Sequence, residues 1–324
     1  MGELVYRPAT LDDAALAADL MTAAYPRLPE DPIITRYRWE RPRRGWSFGR
    51  FIAEMDARPI AFLDWLHGPP EQDPERHCEV SVYLDVAELD VDLLTSMWLW
   101  LAGQAEATGS QVLEGYCGED EPEMLEAMAR AGFQRDRQEK VWELDLMRHG
   151  ARLIREARSA KATMATKGIT LLTVAAWPDP DALTKLHVLD GATRNDLPST
   201  FPHLPETFED FARRVNSPDR PHDRWWIALD ADRPVAMSYL KFPPVRGAVW
   251  TGYTASDREY RGRGIARAVK LQTLAQAAEL GIPAVHTDND SENAPMLHIN
   301  EDLGYSSRAG FVSHLKRVGR NNDA

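Results

Sequence analysis

The sequence predicts a mixed α/β fold built twice in tandem, with strands and helices alternating around mixed sheets. Three observations carry this. The chain has 324 residues, about twice an ordinary domain of ~150 residues. Two segments recur at half-chain spacing. The order of apolar segments is also the same in both halves, which for alternating strands and helices means layered α/β domains.

The repeat is read directly. Phe51-Ile52-Ala53-Glu54-Met55-Asp56-Ala57-Arg58-Pro59-Ile60-Ala61-Phe62 aligns without gaps with Trp226-Ile227-Ala228-Leu229-Asp230-Ala231-Asp232-Arg233-Pro234-Val235-Ala236-Met237, an offset of 175. Each copy reads as strand, polar turn, strand. Met124-Leu125 followed by Gly132-Phe133 matches Met296-Leu297 followed by Gly304-Tyr305, at an offset of 172. Both read as a short helix stopped by a glycine, with an aromatic opening the next strand. Two matches in the same order argue for duplication of one domain.

Element by element, the first half predicts a strand at 4–8, a helix at 11–24 and strands at 50–54, 59–65 and 79–84. A helix at 90–107, a strand at 111–116, a helix at 122–131 and a strand ending near 146 follow. The second half predicts a strand at 169–174, helices at 179–190 and 207–215, and strands at 225–229, 234–241 and 248–255. It closes with a helix at 264–280, a strand at 284–287, a helix at 292–303 and a strand at 305–315. Residues 147–167 are rich in Arg, Ala and Lys without a clean apolar stripe and read as a helical linker. The division expected is 1–147, linker 148–167, and 168–324.

Composition narrows the function. Hydrophobic residues at 44% and charged residues at 27% suit a globular chain with a real core. Met1-Gly2-Glu3-Leu4 lacks the apolar run of a signal peptide, and no stretch nears the ~18 apolar residues of a membrane helix. Two cysteines, Cys78 and Cys117, make neither a disulfide framework nor a metal knuckle and suit buried thiols in a reducing cytoplasm. Net charge is −12, but residues 1–150 carry 15 Lys+Arg against 29 Asp+Glu, and residues 151–324 carry 23 against 21. The acidic first half would repel nucleic acid, whereas a compact polyphosphate needs only one local basic site, available in the second half. No pair of histidines has metal-ligand spacing on one helix, so no metal is expected.

That basic site is Tyr260-Arg261-Gly262-Arg263-Gly264-Ile265-Ala266, between a strand and a helix. Two glycines permit a tight turn and close approach to main-chain N–H groups. The helix start offers unpaired N–H groups and a positive dipole end to a phosphate, and Arg261 and Arg263 add charge-assisted bonds. The loop lacks the third glycine and later acid of a dinucleotide fingerprint and the Gly-Lys-Ser/Thr of a Walker loop. The next strand leads into a helical stretch carrying Asn293 and Asn300, seven residues apart and about two turns along one face. Each also has a bland reading, as a capping-turn residue or a solvated polar side chain.

Arg-x-x-Gly-x-Ala after a strand, then Asn-x-x-x-x-x-x-Asn ending in Leu303-Gly304-Tyr305, resembles the GCN5-related N-acetyltransferase (GNAT) superfamily. The specific motifs span about 251–305, and the repeat extends the likeness to a tandem GNAT protein. The resemblance implies acetyl-CoA or another acyl-CoA as co-substrate, in a splay between middle strands. Its pyrophosphate would lie on Arg261, Gly262, Arg263, Gly264, Ile265 and Ala266, and its pantetheine along Thr254, Ala255 and Ser256. Asn293 matches the position that contacts the cofactor. The implied activity is acyl transfer to the amine of a small molecule or peptide, by direct attack in a ternary complex. A regulatory, non-catalytic acyl-CoA binder is the alternative.

Two residues depart from the family pattern. The usual tyrosine acid is replaced by Asn300, whose amide can bond a thiol or orient a water but cannot protonate a thiolate. The usual carboxylate base is replaced by Trp250, expected against the substrate. In the first half, Asp85-Val86-Ala87-Glu88-Leu89-Asp90-Val91-Asp92 stands where phosphates would bind. Without glycine or arginine it cannot hold an anion. Met128 takes the position of Asn300 and suits a packed core. This half is expected to support the other, by completing a sheet or walling the substrate pocket, and its acid to attract a cationic amine. The acceptor pocket is expected around 190–205, with Asp196 able to pair with an amine and a proline-rich lid at 198–205.

Overall fold

The structure, a computed structural model, describes residues 3–318; Met1 and Gly2, part of the opening read above for a signal peptide, lie outside them. In chain order the first half contributes β1 (Leu4–Pro8), α1 (Ala14–Ala24), α2 (Pro32–Glu40), β2 (Ser47–Met55), β3 (Arg58–His67) and β4 (His77–Leu84). It continues with α3 (Val91–Glu106), β5 (Val112–Gly118), α4 (Pro122–Arg130) and β6 (Gln134–Asp145). After α5 (Leu146–Thr166) come β7 (Ile169–Thr173), α6 (Ala182–Arg194), α7 (Phe208–Val215), β8 (Trp225–Asp230), β9 (Arg233–Lys241) and β10 (Val249–Ser256). The chain closes with α8 (Ile265–Glu279), β11 (Ala284–Asp290), α9 (Ala294–Leu303) and β12 (Ser306–Arg317). No helix of the described residues is long and apolar enough to cross a membrane.

The duplication is visible in register. Ile52 pairs with Phe62 and Ala53 with Ala61, and a bulge follows. Ile227 pairs with Met237 and Ala228 with Ala236, and a bulge follows at the same place. Gly132 and Gly304 end α4 and α9 at φ 88° and 92°, a left-handed conformation that costs glycine nothing.

The twelve strands form one sheet in the order β1-β2-β3-β4-β5-β12-β6-β11-β10-β9-β8-β7. Chain halves and spatial halves therefore differ by one strand each. β12 pairs with β5, β6 pairs with β11, and the two exchanged strands pair with each other at the centre. Trp142 and Leu144 of β6 accordingly lie in the second-half core with Leu271, Leu274 and Val285. Residues read as a linker form α5, which packs Leu153 and Ala157 into that same core. Its apolar positions are spaced among arginines, which is why no clean stripe was legible.

α2 has no counterpart in the sequence reading, because 25–44 is dominated by Pro and Arg. Its start is fixed by Asp31, whose carboxylate accepts from Ile33 N and Ile34 N. The other oxygen accepts from Val245 N at 2.6 Å and Arg246 N at 3.0 Å in the second half. Burial disfavours ionised Asp31, but these amides outweigh it and hold the carboxyl below its usual range. Cys78 and Cys117 are free and buried, and burial pushes both thiols up to about 12. Met128 is fully buried in the first-half core.

Asp31→Ala removes a helix cap and a cross-half anchor together. It is expected to cost about 2–3 kcal/mol in urea unfolding; a loss below ~0.5 kcal/mol would show that the carboxylate is not a structural tie.

Candidate active site

β10 and β11 run parallel but pair only at Val249↔Val285 and Trp250↔His286. β10 stays paired to β9 as far as Ser256↔Ala236. Past Trp250 the two strands part, so backbone groups of Thr254, Ala255 and Ser256 that point away from β9 face a cleft instead of a strand. A bulge between Thr251 and Tyr253 sharpens the bend. Gly252 is required there, since a Cβ would lie 2.1 Å from the Tyr239 ring.

At the cleft's end the chain makes a single 3-10 turn at Arg258–Tyr260, capped by Asp257, before the glycine loop. Gly262 and Gly264 sit at φ 73° and 77°, and an added Cβ would meet nothing within 4 Å at either. Conformation, not space, demands glycine at both. Gly264 is the N-cap of α8 and supplies no side-chain bond, so the first-turn amides remain open to an anion. Buried Ile265 and the Tyr260 phenol, which donates to Asp230 at 2.7 Å, anchor the loop. Arg263 folds back over the Tyr260 ring and donates to the Glu259 carbonyl at 2.9 Å.

Arg261 and Arg258 both donate to Asp196. These arginines, Arg258 first, hold the Asp196 carboxyl down at about 2. Asp196 thus pairs internally with two guanidinium groups beside the glycine loop, and binding an amine there would require its oxygens to leave them. Residues of the 190–205 segment line a cavity of about 540 Å³ together with first-half residues. This segment crosses onto the first half, where Phe201 packs on His77 at 4.4 Å and Leu204 covers Gly68.

Trp250 stacks on His286 at 5.2 Å and lines a depression of about 240 Å³ with Lys241, Asp219, Arg38, Glu30 and Asp31. Three of these belong to α2 and the turn before it. First-half residues therefore border the start of β10, up to Trp250 where the split begins.

Asn293 caps α9 with its carbonyl, which accepts from Met296 N and Leu297 N, while its side chain makes no cap bond. Asn300 is different. It is 0% exposed; its Oδ1 accepts from Lys270 Nζ and its Nδ2 donates to Asn289 Oδ1, both at 2.7 Å. Asn300 is a sealed amide with both ends committed, to Lys270 and Asn289, whereas the Asn293 side chain is partly exposed.

Sequence reasoning missed the titratable groups at the cleft. Asp288 lies on β11 just past the split; burial raises its carboxyl, and Lys241 and Lys270 pull it partly back. Burial, then Arg220, lowers Lys241. Glu139 of β6, opposite Asp290, is pushed up to about 7 by burial, then by Asp288 and Asp290. Asp288 was visible in the sequence as the acid ending an apolar strand. Glu139 and Lys241 carried no signal, because they reach the cleft through strand exchange and sheet register. Among the described residues, no group of three or more His, Cys, Asp or Glu side chains is placed to hold a metal ion.

The site is thus a parallel pair that splays within a mixed sheet and runs into a glycine-arginine loop at a helix start. Residues 191–305 match the model of the Acetyltransferase (GNAT) family. The match lies within the second half, and the whole chain shares its fold with a tandem GNAT protein. It is similar to a tandem GNAT protein from the clavulanic acid biosynthesis pathway, at 17% identity and TM-score 0.75 over 99% of this chain and 100% of that one. It is also similar to a GCN5-related N-acetyltransferase from Sphaerobacter thermophilus, at 19% identity and TM-score 0.67 over 98% and 97%. A GCN5-related N-acetyltransferase from Kribbella flavida matches at 13% identity and TM-score 0.53 over 95% and 98%. No curated protein matches the sequence.

Lys270 supplies a stability test. Burial pushes its ammonium down to about 7 from an ordinary 10.5, so between these values the unfolded chain binds a proton that the fold does not. Stability must then rise with pH across this window. Urea midpoints of the wild type should climb from pH 7 to pH 10, and Lys270→Met should flatten that slope. An unchanged slope would place a charged lysine in the core.

Proposed function

We propose that this chain is an N-acyltransferase that moves an acyl group from acyl-CoA, acetyl-CoA in the first instance, to an amine of a small molecule or peptide. One observation carries the reading: the uncapped start of α8, behind Gly262 and Gly264 and beside Arg261, opens onto the β10–β11 split. A pyrophosphate suits the helix amides and Arg261, and a pantetheine amide suits the unpaired backbone of Thr254, Ala255 and Ser256. Asn293, at the cap of α9, suits a polar contact to the same chain. In chain terms the proposal keeps 1–147 as the support, 148–167 as the connecting helix and 168–324 as the cofactor-binding part, in a cytoplasmic protein.

The chemistry requires a neutral amine. Its nitrogen attacks the thioester carbon, the C–S bond breaks, and the ammonium proton must leave. Asp288, its carboxyl raised by burial at the split, is placed to accept that proton, directly or through water. Glu139, with a carboxyl near 7, can relay it. Backbone N–H groups of the bulged β10 polarise the developing oxyanion. Trp250 offers the acceptor an apolar face, bordered by Glu30 and Arg38 of the first half. Asn300 and Lys270 hold Asn289 and the floor of the cleft.

Phosphate binding here must displace Asp196 from Arg261, and this sets the first test. By calorimetry, Arg261→Ala should weaken acetyl-CoA about tenfold. Asp196→Asn should tighten it several-fold, because no internal carboxylate then competes. If Asp196→Asn raises only the acceptor KM, the carboxylate binds substrate instead.

The second test concerns turnover. Asp288→Asn should lower kcat with the best amine by about 10²-fold or more, leaving acetyl-CoA affinity unchanged. Full activity in this variant would remove Asp288 from the proton path. The sealed Asn300 favours one competing reading, an acyl-CoA binder without turnover. Tight acetyl-CoA binding with no thiol release across an amine panel would establish it.

A further inference from the structure

The first half contains a second splay. β4 and β5 pair in parallel only at His77↔Val112, Cys78↔Leu113 and Glu79↔Glu114, then part as β10 and β11 do. The turn that follows β4 has no glycine. Asp85 caps it, accepting from Ala87 N at 2.9 Å. The two carboxylates at the parting point, Glu79 and Glu114, face a cavity of about 540 Å³ between the halves. Its roof is the crossing segment that carries Ser199, Phe201, Pro202 and Leu204.

The charges lining this cavity are unevenly paired. Asp73 holds His77 at 2.9 Å. Asp190 is bound by Arg194 and Arg214, and Glu206 by Arg214. Glu79 feels Arg43 at a distance, beside the carboxylate of Asp64; Arg43 itself lies over the Trp46 ring at 4.1 Å. Glu114 has no such relief. It is 5% exposed, and after the Tyr116 phenol, the groups acting on it are Glu79, Asp136 and Glu139, all acidic. Burial, then these neighbours, push its carboxyl up to about 7. Arg194 and Arg214 of the same lining are engaged by Asp190 and Glu206, so this buried carboxylate opens on the cavity without a cation of its own.

We propose that this cavity is a binding site for an organic cation, a primary ammonium seated between Glu79 and Glu114. The walls favour an amine over a metal ion. Trp46, Tyr116 and Phe201 present aromatic surface, which attracts an alkylammonium, and no group of three metal-ligating side chains is present among the described residues. The volume takes a small organic molecule, far more than a bare ion. The site lies on β4 and β5, away from the loop on α8, so it does not rest on the acyl-transfer reading. The two are joined mechanically. Its roof begins at Asp196, the residue that holds Arg258 and Arg261, so an occupied cavity steadies the segment that competes with phosphate.

The test is calorimetric titration of the full chain with 1,4-diaminobutane, without acetyl-CoA. One saturable site is expected, weakened at least tenfold in Glu114→Gln and in Glu79→Gln, with butane-1,4-diol silent and MgCl2 unable to displace the diamine at matched ionic strength. Glu114→Gln removes a repelled charge and should unfold at the same or a higher temperature, so lost binding there is not lost folding. Unchanged diamine affinity in Glu114→Gln, equal binding of the diol, displacement by Mg²⁺, or no binding to the wild type would each overturn the proposal. Acetyl-CoA is titrated into the same samples. Its binding should be equal in wild type and Glu114→Gln, so failure of the cofactor reading is seen separately from failure of the amine site.

Discussion

The central pairing of β6 with β12 is the constraint on which the rest depends. Each strand leaves its own half, completes the other's sheet and meets its counterpart in the middle. Two half-sheets thereby become one, and neither half can bury its core without a strand from the other. The exchange also brings Glu139 beside β11; first-half residues border the start of β10 at Trp250, and the α6–α7 segment roofs the first-half cleft.

The two clefts show how one backbone geometry serves opposite charges. In both, a parallel pair parts after two or three residue pairs. In the second half, two glycines and an uncapped helix start follow the split, and the site is electropositive at its end. In the first, an acid-rich turn follows, and two glutamates face each other at the split. Duplication supplied the shape, and side chains beyond the strand ends decided its electrostatics.

Buried polar groups mark the functional parts of each cleft. Lys270, Asn300 and Asn289 form a hydrogen-bonded line beneath the β10–β11 split, where a fully buried ammonium is tolerated only because it sheds its charge readily. Asp196 holds Arg258 and Arg261 together. Under the proposed function, anion binding would therefore be an exchange of partners rather than a capture by free charge.

Most of the architecture was legible in the sequence. The hairpin Phe51 to Phe62 and its copy, the glycine stops at Gly132 and Gly304, and the loop from Arg261 to Ala266 are local features, set by turn chemistry and by periodicity. These are properties of short segments, so one sequence suffices to read them. Strand exchange, the course of residues 190–205, the sealing of Asn300 and the pairing of Asp196 with Arg261 were decided only in the tertiary structure. Each depends on which distant segment completes a sheet edge or fills a cleft. A carboxylate or amide looks the same in sequence whether it meets an amine, a guanidinium or a buried lysine. The sequence alone thus determined a duplicated α/β chain with one glycine-arginine loop at a helix start. Packing between the halves decided which side chains reach the clefts, because long-range strand pairing, not local propensity, places them there.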